Sequence, residues 1–151
     1  MTGAEFGRAL VVGFIATFVA TIYGYWEVAV GLPKLDFAMV LGLDLAPEEA
    51  SREFAYALGM VQHFIDGMLL GLIFVRIFVR FLPGHYVIKG LVFGIIAWVG
   101  SSLVASPIHG AGLFWIRWRV PALVGVFVWH IVWGITLGVT YYLAFRLKPS
   151  G

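Results

Sequence analysis

The sequence predicts an all-α integral membrane protein: an up-down-up-down four-helix bundle built from a duplicated two-helix hairpin. Composition is the first reason, because apolar residues make up 62% of the 151 residues and charged residues only 12%, unlike soluble domains. The second is four apolar segments long enough to cross a hydrocarbon core, which takes about 20 helical residues. The third is a histidine–glycine pattern that occurs twice within them. At this length we expect one domain over residues 1–151.

The predicted transmembrane spans are residues 7–26, 55–75, 87–106 and 121–145, and residues 27–54 form the longest connection between them. Within that connection Pro33 ends a helix, and the apolar segment 36–42 is expected to lie in the membrane interface or to pack under a neighbouring helix. Pro47, followed by two glutamates, predicts the start of the next helix. If that helix runs unbroken to Leu82, its first turns stand outside the membrane.

Lysines and arginines predict the orientation, because basic residues are more frequent in cytoplasmic loops. One side carries Arg8, Arg76, Arg80, Lys89, Arg146 and Lys148, and the other carries Lys34, Arg52, Arg117 and Arg119. We therefore expect a multi-pass protein of the inner cell membrane with both termini in the cytoplasm. The sequence pI of about 9.1 does not indicate a nucleic-acid partner, because these residues stand at helix ends, where they serve as interfacial anchors.

The repeated pattern is H-x3-G-x3-G, first at His63 and again at His130. In an α-helix such residues share one face, so each copy presents an imidazole beside two positions without a side chain. Residues 9–16 and 90–97 also match at five of eight positions, which pairs Gly13 with Gly94. Two hairpins repeated in this way should be related by an axis along the membrane normal. Spans 2 and 4 would then be parallel and diagonal, with both histidines at one depth.

Three interpretations of the histidine pair remain open. In a structural one, Gly67 and Gly134 allow close helix packing, and Asp66 holds His63 or His130 in a buried hydrogen bond. In a second, His63 and His130 are the axial ligands of a haem b, for which Gly67 and Gly134 leave room and Asp66 orients a ligand. In a third, His63, Asp66 and His130 form a proton or metal relay for transport.

Other features limit the chemistry further. The absence of cysteine excludes disulfides, iron–sulfur clusters and thiolate metal sites. No phosphate-binding glycine loop, zinc-protease motif or nucleophile elbow occurs, so we expect no catalytic residues and no resident metal ligand set. His85 is expected to be solvated in a turn, and His109 is expected to meet Asp36 across the loops.

The chain resembles a family of small four-span prokaryotic membrane proteins catalogued as a domain of unknown function. The resemblance rests on short motifs: Pro33-Lys34-Leu35-Asp36, His63 with Gly67 and Gly71, Pro83-Gly84, Gly90 with Gly94, Pro107 followed by Gly110 and Gly112, and His130 with Gly134 and Gly138. It implies a multi-pass membrane protein and no particular activity.

The preferred function at this point is that of a non-catalytic subunit of a larger membrane complex, with respiratory electron transfer as its expected setting. Its partners would be the lipid bilayer and other membrane subunits. The first alternative is a haem b electron carrier that uses His63 and His130. The second is a small proton- or metal-coupled transporter.

Overall fold

The computed structural model describes residues 1–31, 36–117 and 120–146, with side chains except at residues 120–122. The helix break predicted at Pro33 and the anchors predicted at Lys34, Arg119 and Lys148 lie outside these residues. The helices are α1 (Gly3–Ala29), α2 (Phe37–Leu45), α3 (Arg52–Ile73), α4 (Val79–Phe81), α5 (Tyr86–Gly100), α6 (Ser106–Ile108) and α7 (Val120–Phe145). π-Helical turns continue α3 at Phe74–Phe78 and α5 at Ser101–Ala105, and a 3-10 helix covers Leu113–Trp115. Since the described residues contain no strand, the all-α class is confirmed.

Three stretches of the described chain are helical, long and apolar enough to cross a membrane: Gly3–Ala29, Tyr86–Ile108 and Leu123–Phe145. They correspond to three of the four predicted spans and support the assignment to a membrane. The predicted span at residues 55–75 is not among them. This helix differs from the other three in its middle, where it contains Gln62, His63 and Asp66.

The connection after α1 differs from the prediction. The helix predicted to start at Pro47 begins only at Arg52, because the Ser51 side chain accepts a hydrogen bond from the Phe54 amide at 3.2 Å and caps α3 there. A separate helix, α2, precedes it and is capped by Asp36. Of the two places expected for this apolar segment, the membrane interface or a position against a neighbouring helix, the structure shows the second, since α2 packs on α3. A methyl group on Gly42 would overlap the backbone carbonyl of Ala55 on α3.

The long helices pack in a chain of pairs. α1 packs on both α3 and α7, and α5 packs on α7. Arg8 donates to the Ala144 carbonyl at 3.4 Å, so the start of α1 and the finish of α7 lie at the same end of the molecule. We call this the terminal end, and we call the opposite end, which carries α2, the α2 end.

Glycines lie at close crossings of two helix pairs, α1 with α3 and α5 with α7. A methyl group on Gly13 would overlap the Gly67 carbonyl, and one on Gly90 would overlap the Gly134 carbonyl. Gly13 is therefore the counterpart of Gly90. The sequence alignment paired Gly13 instead with Gly94, which lies one helical turn further along α5. Backbone approach of this kind is open only to glycine, because any Cβ would collide with the opposing main chain.

α3 and α5 meet mainly near the terminal end, where α5 contacts the π-helical turn after α3. Aromatic rings fill this region: the Phe93 ring lies 4.5 Å from Phe78 and 5.5 Å from Phe74, centroid to centroid. Phe74 also meets Tyr141 of α7 edge to face at 6.0 Å. Toward the α2 end the two helices diverge and leave a gap between them.

The gap is covered at the α2 end by two connections. Phe37, at the start of α2, meets Trp115 edge to face with ring centroids 5.5 Å apart. Trp115 is buried although its backbone has a φ of 60°, a conformation that costs a non-glycine residue about 1–3 kcal/mol. Its amide donates to the Ser106 hydroxyl at 2.8 Å, which helps to hold this turn. His109 contacts Asp44 of α2, so the two connections also meet through polar groups.

Candidate functional site

The gap between α3 and α5 forms a cleft of about 540 Å³, which lies within the size range of ligand sites. Leu70 and Ala97 line it next to the aromatic core, while Phe37 and Trp115 line it at the α2 end. Most of its wall is apolar, and the polar side chains that face it include His63, Asp66, Ser101, His109 and His130. The cleft therefore suits an apolar molecule with a few polar atoms.

The two motif histidines, which lie on different helices, line this same cleft. The Trp129 ring contacts both, with its centroid 5.5 Å from that of His63 and 5.1 Å from that of His130. The structure thus brings both imidazoles to one cavity, and neither ring belongs to the exposed surface.

His130 is held in a defined orientation. It is only 7% exposed, and its Nδ1 lies 2.8 Å from the Val126 carbonyl oxygen of its own helix. Because a carbonyl can only accept, Nδ1 carries the proton and donates it. In the neutral ring Nε2 then has a free lone pair, 3.4 Å from the Ser101 hydroxyl. That hydroxyl donates to the Trp98 carbonyl at 2.9 Å, so Nε2 remains an acceptor whose contact with Ser101 is long.

His63 has a different arrangement. Its Nε2 lies 3.3 Å from the Thr21 hydroxyl of α1, and Thr21 donates its own proton to the Thr17 carbonyl at 2.7 Å. The Thr21 oxygen is therefore available as an acceptor, which places the His63 proton on Nε2. His63 thus directs its N–H toward α1 rather than into the cleft.

The positions one turn beyond the histidines also differ. Asp66 accepts a hydrogen bond from Gln62 at 2.7 Å, so its bonded partner is neither of the histidines that the sequence suggested. Trp133, the equivalent residue on α7, is buried and donates from Nε1 to the Thr17 hydroxyl at 3.1 Å. One turn beyond the histidines, the cleft is therefore polar on α3 and aromatic on α7.

Gly67 and Gly134, which the sequence marked as room for a cofactor or for packing, serve helix packing. A methyl group on Gly134 would come within 2.6 Å of the Gly90 carbonyl oxygen, and one on Gly67 would collide with the Thr17 side chain. Gly67 also lines the cleft.

A second, smaller cavity of about 60 Å³ lies toward the α2 end. Glu27 lines it and is only 7% exposed, and its Oε1 has no hydrogen-bond partner among the described residues. His63 lines both cavities. Glu27 was not among the predicted site residues, since an acid at the end of an apolar span is expected to face the headgroups. The small residue Gly125 opposite it, on another helix, could not be paired with it from the sequence.

The remaining histidines do not join the central pair through a metal site. His109 contacts Asp44 rather than Asp36, whose side chain accepts from the Met39 amide at the start of α2. His85 is exposed, as predicted, and its Nδ1 accepts from the Val87 amide at 3.4 Å. Within residues 1–31, 36–117 and 120–146, no group of three or more histidine and carboxylate side chains is placed to hold a metal ion.

Together the helices and the cleft define a class: an all-α protein of membrane character with a laterally placed, histidine-lined cavity. The chain matches the model of a family of unknown function, DUF6789, over residues 3–148, and it belongs to that family. This confirms the resemblance found in the sequence. Neither a curated protein nor a solved structure shows significant similarity to the chain.

Proposed function

We propose that the chain crosses the inner membrane four times as an up-down-up-down bundle of two duplicated hairpins, with both termini in the cytoplasm. The exposed side of α3 supports the fourth crossing, because Val61, Ile65, Leu69 and Ile73 form an apolar stripe at i, i+4 spacing on it. Its polar residues lie elsewhere: His63 and Asp66 line the cleft. A helix with polar groups inside and an apolar exterior suits a bilayer despite its modest hydropathy.

The glycine crossings support the duplication. In each hairpin a glycine of the first long helix opposes the first motif glycine of the second, as Gly13 opposes Gly67 and Gly90 opposes Gly134. Each motif histidine also lies beside a hydroxyl group on the preceding long helix. His63 lies beside Thr21 of α1, and His130 lies beside Ser101 in the π-helical turn that continues α5.

Within such a bundle, the function that the geometry supports best is that of a non-catalytic subunit of a membrane electron-transfer assembly. Its contribution would be to hold a flat, apolar cofactor in the cleft. The observation that carries this proposal is the orientation of His130: a carbonyl fixes the proton on Nδ1, and Nε2 keeps its lone pair beside an apolar cavity with only the long 3.4 Å contact to Ser101. This is the usual arrangement of an imidazole that ligates a metal or accepts a proton from a bound molecule.

The second candidate is a haem b carrier, and the residues fit a haem in part. His130 would hold the iron through Nε2, with the Val126 carbonyl orienting the ring. His63 would need to turn its ring away from Thr21, to which its Nε2 is bonded at 3.3 Å. When bound, a haem would supply reversible one-electron transfer.

The first experiment identifies the occupant of the cleft. The protein is purified from membranes, its visible spectrum is recorded, and the organic extract is analysed by mass spectrometry. We expect a bound chromophore or lipophilic cofactor that His130→Ala loses at least about tenfold more readily than the exposed-site control His85→Ala. A haem carrier would show a Soret band that depends on both His63 and His130. A wild-type protein with no bound molecule beyond bulk lipid would refute the cofactor role.

The second experiment tests the subunit role. Membranes are solubilised in a mild detergent, and the native mass of the tagged chain is measured. A subunit migrates in a complex with other chains, whereas a carrier migrates as its own 16.6 kDa chain or as copies of it. His130→Ala can be compared in the same assay, to show whether assembly depends on the cofactor.

A further inference from the structure

We propose that the smaller cavity at the α2 end is a water-filled proton connection, in which Glu27 passes protons between that end of the molecule and His63. The inference deepens the proposed function and rests on it in one respect: the cofactor in the cleft would be the group that exchanges protons. The connection itself is a property of the cavity and can be tested separately.

Glu27 is the starting point. A carboxyl side chain that is only 7% exposed, with one oxygen lacking a partner among the described residues, costs free energy unless water or a ligand satisfies it. A cavity of about 60 Å³ adjoins it, and one ordered water needs about 10–15 Å³ measured in the same way. A few water molecules therefore fit beside Oε1.

α7, which lies opposite Glu27, has a glycine at the position that faces the cavity. Gly125 of α7 lines the cavity, and a methyl group there would come within 3.2 Å of Glu27 Oε1. No lysine or arginine of the described residues lines the cavity, so no basic side chain there forms an ion pair with the Glu27 carboxyl group. Because no three-residue metal set is found in the described part of the chain, water is the occupant that fits.

Two tyrosines and an aspartate link the cavity to its surroundings at the α2 end. Tyr25 and Tyr56 line it and share a hydrogen bond between their hydroxyls. Tyr25 is 46% exposed, so this pair marks where the cavity reaches the surface. Asp36 also lines it, and Tyr23 interacts with the Glu27 carboxyl from one turn earlier on α1.

His63 completes the connection, because it lines both the Glu27 cavity and the cleft. An imidazole can accept a proton on one nitrogen and release one from the other, which makes it a proton shuttle. Its Nε2 proton already lies on the α1 side, at Thr21, and Thr21 lines the Glu27 cavity as well. His130 does not line that cavity, and its Nδ1 proton is bonded to a backbone carbonyl.

The test measures proton exchange at the two imidazoles directly. Protein labelled with 15N-histidine is placed in lipid nanodiscs, and NMR follows the loss of each ring N–H signal after transfer to D2O. In the wild type we expect the His63 N–H to exchange at least about tenfold faster than that of His130. Glu27→Gln should slow His63 by a similar factor and leave His130 unchanged, and the exposed control Glu53→Gln should change neither rate.

Two further variants keep the test decisive if Glu27→Gln does not fold. Gly125→Ala, which fills the space beside Glu27 Oε1, should slow N–H exchange at His63. Thr21→Val should alter the exchange rate at His63 and leave the rate at His130 unchanged. Unchanged His63 exchange in folded Glu27→Gln or Gly125→Ala protein would overturn the connection. Cofactor retention is measured on the same samples, so an empty cleft with a Glu27-dependent rate would refute the cofactor role and leave the connection standing.

Discussion

In the α1–α3 hairpin, His63 turns its Nε2 toward a hydroxyl of the neighbouring helix and lines two cavities. In the α5–α7 hairpin, His130 anchors its Nδ1 on its own helix and lines only the larger of them. The difference lies in the partner of each ring: the Thr21 hydroxyl on the neighbouring helix for His63, and the Val126 carbonyl of its own helix for His130. The residues one turn beyond also differ, Asp66 on one helix and Trp133 on the other. The two rings therefore hold their protons on different nitrogens, Nε2 in His63 and Nδ1 in His130, which is why we propose proton exchange for the first and ligation for the second.

The largest expected effect comes from the glycine crossings. Gly134→Ala should lower the free energy of unfolding by about 3 kcal/mol, because its Cβ meets the Gly90 backbone, which cannot yield. Gly67→Ala should cost about 1–2 kcal/mol, since it meets the hydroxyl and Cβ of Thr17, and a side chain shifts more readily than the main chain. The control Gly100→Ala has open space around it and should be neutral or slightly stabilising. SDS-induced unfolding followed by tryptophan fluorescence measures all three, and equal losses for Gly67 and Gly134 would contradict the distinction.

The next comparison uses the residues one turn beyond the histidines. Trp133→Phe should cost about 2 kcal/mol, because it leaves a gap in the core and deprives the Thr17 hydroxyl of its donor. Asp66→Asn should change stability by less than about 0.5 kcal/mol, since the new amide oxygen can still accept from Gln62. The same unfolding assay applies. A larger loss for Asp66→Asn would mean that Asp66 stabilises the fold through a contact other than Gln62.

A smaller effect is expected at the hydroxyls beside the rings. Thr21→Val should cost about 1 kcal/mol, because it leaves the His63 N–H without its acceptor. Ser101→Ala should cost less than about 0.5 kcal/mol, because His130 keeps its carbonyl bond and loses only a 3.4 Å contact. 15N-histidine spectra should show a marked shift for His63 in the first variant and a slight one for His130 in the second. The reverse order would indicate that His130 depends on Ser101 for its orientation.

The smallest effect is expected at the contact between Asp44 of α2 and His109, which joins the two connections that cover the cleft. Asp44→Asn should lower stability by no more than about 0.5 kcal/mol, since Asp44 is more than half exposed and such pairs are weak. It should nevertheless raise hydrogen–deuterium exchange in α2, with the exposed variant Glu48→Gln as the control. The difference should diminish at high salt. No change in α2 would show that apolar contacts such as Phe37 with Trp115 hold the covers without help.

The helical class, the membrane character and the presence of His63 and His130 at one cleft could all be predicted from the sequence, because each depends on composition or on helical period. The start of α3 could not. Pro47 suits a first helical turn, yet the Ser51 side chain provides the cap, and sequence alone does not decide between two acceptable starts. The one-turn shift between Gly13 and Gly94 escaped the alignment because apolar helices match in several registers. Glu27 was missed because its burial depends on Gly125, which belongs to a helix far along the chain.

The cleft opens sideways, between Leu69 on α3 and Val104 on the continuation of α5, both of which are at least half exposed. In the membrane arrangement that we propose, α2 and Trp115 cover the α2 end of the cleft, so molecules would reach His130 by diffusing through hydrocarbon instead of arriving from water. The bilayer would then act as a first filter for ligands. Each added CH2 group favours the lipid phase by about 0.8 kcal/mol, so a long-tailed molecule would be enriched at the entrance many thousandfold over a short analogue with the same head group.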